Sequence, residues 1–220
     1  MADPLFTDAE RDAIRAAVAE AETRTSGEIV PYVVRRSGTY QVAVWRAASF
    51  AALLVAAISL SVAWMYDGWG LSWMYSAGWM AAAMTLGGVI GALLASRLDP
   101  IRRQLAGADR LDARVHRRAA EAFLDEEVFD TRDRTGILLF VSLFEHRIEV
   151  VGDVGINAKV KQEEWVEVVD LIRQGILSGS LSHGMVSAIE RCGDLLHRRG
   201  VEIREDDTDE LSDDIRVRDE

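Results

Sequence analysis

The sequence predicts an α/β domain with a small mixed sheet, interrupted by a two-helix transmembrane hairpin. Two long charge-free runs and the order of the elements around them carry this prediction. Residues 47–66 and 71–96 contain no charge except Asp67 between them, and about 20 apolar residues in a helix cross a bilayer core. Helix- and strand-type patterns flank the runs on both sides. A lone helix and strand before the hairpin cannot bury their own apolar faces. Residues 5–42 and 97–200 therefore read as two halves of one domain, with residues 43–96 as the hairpin.

The elements follow in order. Thr7-Asp8-Ala9-Glu10 is a capping box, in which Thr and the Glu three residues on satisfy backbone N–H groups reciprocally. Ile14, Ala17, Val18 and Ala21 then repeat at helical spacing, and Ser26-Gly27 should end the helix. Residues 28–34 (EIVPYVV) form a strand in which Pro31 weakens one ladder position. The spans cover about residues 45–66 and 72–96, joined by Asp67-Gly68-Trp69-Gly70. Residues 100–129 read as helix with a break near Gly107. Residues 136–143 (GILLFVSL) are continuously apolar, as in a strand buried on both faces. Glu145-His146 turns the chain into a strand at 147–152. Trp165, Val168, Val169 and Ile172 mark a helix. Ser182 is expected to cap another, with Met185, Val186, Ile189, Cys192, Leu195 and Leu196 on its apolar face and Gly200 as its stop. A crossover between the first two strands makes them parallel if they share a sheet.

Charge and cysteine usage exclude several classes. The net charge of −11 argues against nucleic acid as a partner. Ten of the acidic residues lie in residues 201–220, where the run Glu205-Asp206-Asp207-Thr208-Asp209-Glu210 predicts a disordered acidic tail. The single cysteine, Cys192, excludes an internal disulfide framework and a multi-cysteine metal site. None of the four histidines has HxxxH or HExxH spacing, and no GxSxG or Walker A motif is present.

Arginines set the expected orientation. Arg35, Arg36 and Arg46 precede the first span, Arg97, Arg102 and Arg103 follow the second, and the link between has no basic residue. The positive-inside rule then puts both termini in the cytoplasm, here at the cytoplasmic membrane of a bacterium. Trp64, Tyr66, Trp69, Trp73 and Tyr75 cluster at the outer end and Trp45 at the inner end, as in an aromatic belt. The first 42 residues carry no signal-peptide core. Gly87 and Gly91 form a GxxxG, which packs the spans on each other or joins two copies as a homodimer. No ionisable residue lies deep in either span, which disfavours a transporter or channel.

The stretches TSGEIVPYVVRR, FDTRDRTGILLFVSLFEHRIEVVGDVGINAKV and EEWVEVVDLIRQGILSGSLSHGMVSAIERCGDLL resemble the TPM domain family, named after thylakoid, photosystem II-associated and nematode members. The likeness covers roughly residues 5–42 and 115–198. Its most specific parts are the strand pair and the Gly179, Leu181 and Gly184 step. The resemblance implies a compact α/β/α fold. It further implies a role as an accessory factor of a membrane complex, as an acid phosphatase or as a calcium binder. Many members carry a signal peptide before the domain and a span after it; here the hairpin lies within the domain.

One candidate site follows from the topology. With strands one and two parallel and strand three antiparallel, the starts of the first two and the end of the third share one sheet edge. Glu28, Asp133 and Asp153 occupy it, with Asp130 nearby. Oxygen ligands suit Ca²⁺ or Mg²⁺, and such an ion clamps phosphate and activates water. The bland alternative is carboxylates in water or paired with Arg132 and Arg134. Asn157 is expected to cap the helix that follows it. Arg110, Arg114, Arg117 and Arg118 either touch anionic head groups or form a solvated face. The sequence thus predicts a bilayer-anchored interaction or assembly module with a membrane-protein partner. The alternative is a metal-dependent phosphatase or divalent-cation-binding protein.

Overall fold

In a computed structural model of the chain, which describes residues 5–65, 73, 76–203 and 210–219, the sheet is built outward from β1 (Glu28–Val34). It pairs in parallel with β2 (Gly136–Ser142), Glu28 lying opposite Gly136. β3 (Arg147–Gly152) returns antiparallel along β2. β4 (Arg216–Arg218) lies parallel to β1 on its other side, giving the order β3-β2-β1-β4. The helices are α1 (Asp8–Glu22), α2 (Gln41–Met65), α3 (Ala77–Arg97), α4 (Asp99–Ala106), α5 (Ala108–Asp125), α6 (Val154–Asn157), α7 (Val166–Leu177) and α8 (Leu181–Arg198). A 3₁₀ turn at Gln162–Trp165 precedes α7.

The chain divides into two units, Met1–Ser37 with Ala113–Glu220, and Gly38–Asp112. The first is a three-layer α/β/α sandwich. Successive strand side chains point to opposite faces. On one face Ile29, Val33, Ile137, Leu139 and Val141 meet Ile14 and Val18 of α1, Ile172 of α7, and Ile189 and Leu196 of α8. On the other Val30, Tyr32, Val34, Leu138 and Phe140 meet Val115, Ala119 and Ala122 of α5. All seven residues of β2 are buried, which is why its sequence is apolar without alternation. Burying each such side chain contributes about 1.5–3 kcal/mol.

Local signals place the ends of these helices. Glu10 N–H donates to Thr7 Oγ1, and Thr7 N–H donates to Glu10 Oε2 at 2.8 Å, the expected capping box. α7 and α8 both end in Schellman motifs: Ser180 N–H donates to Gly175 O across Gly179 (φ 77°), and Val201 N–H to Leu196 O across Gly200 (φ 73°). A Cβ on Gly175 would lie 2.5 Å from Gly184 Cα, so these two glycines allow α7 and α8 to touch by backbone. The cap of α8 is displaced from its expected place. Its N-cap is Ser180, and Ser182 Oγ donates to Glu10 Oε1 at 2.6 Å, tying α8 to α1.

The disordered tail predicted for residues 201–220 is corrected over 210–219. Ile215 is buried, Leu211 and Val217 pack against the two cores, and β4 pairs with Tyr32, Val33 and Val34. Composition averages the acidic run with Ile215-Arg216-Val217-Arg218, a short alternating segment that fits the bare edge of β1. Residues 204–209, which hold most of the acidic run, lie outside the described residues.

In the second unit α2 and α3 pack antiparallel. A Cβ on Gly87 would lie 2.7 Å from Val55 Cγ2, and one on Gly91 would lie 2.6 Å from Ala47 O. Gly87 and Gly91 of the GxxxG thus pack against α2, the first of the two arrangements expected for them. Both helices are long and apolar enough to cross a membrane, and almost none of their apolar windows is buried, unlike a soluble core helix. Leu53, Leu54, Ile58, Leu86 and Leu93 are all more than half exposed. Among the expected belt residues, Trp64 is exposed and Trp73 stacks edge-on against Trp79 at 4.8 Å; Tyr66, Trp69, Tyr75 and the link at 67–70 lie outside the described residues.

α4 folds back against α2 and α3, after the helix break expected near Gly107 (φ 88°) has separated it from α5. Arg46 Nη1 donates to Leu105 O at 2.7 Å and Arg102 Nε to Ala95 O at 3.1 Å. Each guanidinium satisfies carbonyls left orphaned at a helix C-terminus and opposes its dipole.

Candidate functional site

The sheet brings the expected strand ends together. Glu28 lies opposite Gly136, and Gly152 lies opposite Ile137. The carboxylates at those ends have other work. Glu28 is buried, and its oxygens accept the N–H groups of Glu210 at 3.4 Å and Leu211 at 3.3 Å. Glu210 in turn accepts Arg132 N–H at 3.0 Å. The returning tail thus supplies to this edge the positive partial charge that a cation would have supplied.

Asp153 is also buried. Its Oδ1 accepts Val154 N–H at 2.7 Å, capping α6, while Arg134 Nε lies 2.8 Å from its Oδ2. Arg134 reaches this position from a left-handed backbone (φ 58°) in the turn before β2. Asp133 and Asp130 are exposed at the same turn. Among the described residues no group of three His, Cys, Asp or Glu side chains is placed to hold a metal ion. Glu28 and Asp153 thus turn to other donors, while Asp133 is exposed: sharing a sheet edge fixes where backbones end, but each carboxylate follows its nearest donor. The cap expected of Asn157 is corrected. It is the last residue of α6 and its Nδ2 donates to Gly152 O at 2.6 Å.

The opposite end of the sheet holds a polar cluster that the sequence reading missed. Glu145 is buried in the β2–β3 turn, where its Oε1 accepts Ser37 N–H at 2.9 Å and its Oε2 accepts the Ser142 hydroxyl. The hydroxyls of Ser37 and Ser142 lie 2.7 Å apart. Arg36 stacks over the Phe144 ring at 4.6 Å. This cluster anchors the segment after β1, just before the hairpin begins. The signal available in the sequence was a carboxylate three residues after an apolar strand.

A third cluster surrounds Glu126, after α5. Its carboxylate accepts from Arg218 Nη2 at 3.1 Å and Arg216 Nε at 3.4 Å. Nearby, Arg118 Nη2 donates to Tyr32 Oη at 3.1 Å, and Tyr32 stacks on Phe140 with centroids 5.5 Å apart. Hydrogen bonding to Glu126, and then to Tyr32, holds the Arg218 guanidinium above its ordinary pKa. Cys192 is fully buried on α8, and burial pushes its thiol well up, so it is no thiolate nucleophile.

These observations define a class: an α/β/α domain whose chain is interrupted by a helical hairpin apolar enough to cross a membrane. No known family model matches the chain, and no curated protein matches it in sequence. Among solved structures it is similar to the BA42 protein from the psychrophilic bacterium Bizionia argentinensis, determined by NMR. The identity is 20%, the TM-score 0.60, and the match covers 99% of this chain and 98% of that one. The likeness is one of fold.

Proposed function

We propose that this protein is a TPM-type domain anchored in the cytoplasmic membrane of a bacterium, where it acts as an interaction or assembly module for a membrane protein complex. Both termini lie in the cytoplasm. The observation that carries the reading is a hairpin apolar enough to cross a membrane, set within the chain of an α/β/α domain. From Ala47 to Met65 and from Ala77 to Ser96 the helices hold no ionisable side chain, as a proton or ion relay would need. In the α/β/α unit the buried carboxylates Glu28, Asp153 and Glu145 are all committed to backbone or hydroxyl donors. The arginines flanking the spans support the orientation.

The test is in-membrane cross-linking of the tagged full chain, followed by mild detergent extraction. A membrane protein recovered in fixed stoichiometry is the expected result; recovery of the chain alone would overturn the reading. A reporter fused after Glu220 checks the orientation, and activity of a periplasm-dependent reporter there would reverse it.

A further inference from the structure

We propose that the outer edge of β1 is a docking site for an extended protein segment of basic–apolar–basic pattern, which the chain's own residues 216–218 fill in cis. The inference rests on the interaction-module reading and names the chemistry of the partner. It starts from the hydrogen-bonding inventory of β1. Toward β2, Glu28 N–H donates to Thr135 O, and Val34 O accepts Leu143 N–H. Toward the other edge, Ile29 N–H donates to Glu22 Oε1 at 2.9 Å and Pro31 has no N–H to give. Pairing on that edge starts at Tyr32 and extends to Arg35, whose N–H donates to Arg218 O at 3.0 Å. Half of β1 is therefore closed to strand addition, and the half at residues 32–35 is open to it.

Side chains add the specificity. Residues two apart on a strand share a face. Arg216 and Arg218 both turn to Glu126, while Val217 between them packs against the α1/α7/α8 core. Glu126 and Arg216 are largely buried, with side chains 17% and 13% exposed, so the acidic acceptor is a built recess rather than a solvated surface charge. Basic residues at both outer positions reach Glu126, arginine best through its forked donors, and a small apolar residue between them packs on the same core.

Beyond the contacts of Glu28 with residues 210 and 211, the resident strand is short. β4 is three residues long against seven in β1. Of residues 210–219 Ile215 is buried and Leu211 and Val217 are partly so, while the Arg15–Asp214 pair beside them is exposed on both sides, which is worth little. Segments with few buried apolar contacts open at low free energy. The tail therefore acts as a tethered competitor that sets a threshold for the partner segment.

The experiment uses the full chain in detergent and a fluorescent peptide of residues 211–219. The variant R216E/R218E, in which the tail opposes Glu126, should bind the peptide, and the natural chain should bind it about tenfold more weakly because its own tail competes. Glu126→Gln added to the variant, or alanine at both peptide arginines, should each weaken binding by about tenfold. A folded R216E/R218E chain that does not bind the peptide, or binding insensitive to both changes, would overturn the proposal. Should that variant misfold, amide exchange in the natural chain decides. The Arg35 amide should exchange about tenfold or more faster than that of Leu143, and equal protection would overturn the exchangeable tail. Failure here leaves the assembly-module reading to the cross-linking result.

Discussion

The buried carboxylate of Glu28, at the first residue of β1, accepts the backbone N–H of Leu211 at 3.3 Å across 183 positions of sequence. With the Glu210 N–H beside it, this contact fastens the tail to the start of the sheet. Glu28→Ala leaves both N–H groups without their acceptor and should lower stability by roughly 1–3 kcal/mol, the usual cost of an orphaned buried polar group. Glu28→Gln keeps an acceptor oxygen and should lose less. Urea unfolding of both variants checks the order.

The hairpin makes a separate prediction. Gly91 approaches Ala47 so closely that no side chain fits between them. Gly91→Leu should separate α2 from α3 at a cost of about 1–3 kcal/mol, as over-packing does elsewhere. Intramolecular cross-linking between cysteines placed at Ala52 and Gly88, where a Cβ added to Gly88 would lie 3.8 Å from that of Ala52, should fall with it. Replacing the outward Leu86, which is exposed, should leave that cross-link intact.

Acid should loosen the domain through two helix starts. The Ser182 hydroxyl, then the Thr7 N–H and hydroxyl, hold Glu10 below its ordinary 4.5. The Lys161 N–H, then Arg199, hold Glu164 below the same value. In both cases the unfolded state binds more protons just below pH 4.5, so stability rises with pH there. The contribution is present above that pH and is lost as pH falls through the folded-state values. Melting temperature followed from pH 6 downward to about 3 should drop, and Glu10→Gln should flatten part of the drop.

Cys192 should be silent to thiol reagents in the folded protein. Burial keeps the thiol protonated and out of reach. Labelling should appear only with denaturant, in step with unfolding. Rapid labelling under native conditions would contradict the packing of α8.

Most of the architecture was legible because it rests on local signals. The charge-free runs, the capping box at Thr7 and Glu10, the break at Gly107 and the apolar strand at 136–142 all declare themselves within a few residues. The candidate site was not legible in the same way. Sheet topology correctly brought the ends of β1, β2 and β3 to one edge, but where each carboxylate turns depends on donors that are distant in sequence. Glu28 turned to the tail, Asp153 to α6 and Arg134. Glu145, unmarked by any motif, became the most connected acid in the opposite cluster.

By itself, then, the sequence determined the kind of protein this is: an α/β domain whose two halves flank a hairpin apolar enough for a membrane. Hydropathy, periodicity and capping are short-range properties, and they are written wherever a residue meets its near neighbours. Only the tertiary structure decided the fate of the charged residues. It turned the end of an acidic tail into the fourth strand, and it spent Glu28 and Asp153 on backbone N–H groups and an arginine. A buried charge takes whichever partner folding brings within about 3 Å, and nothing local in the chain announces that partner.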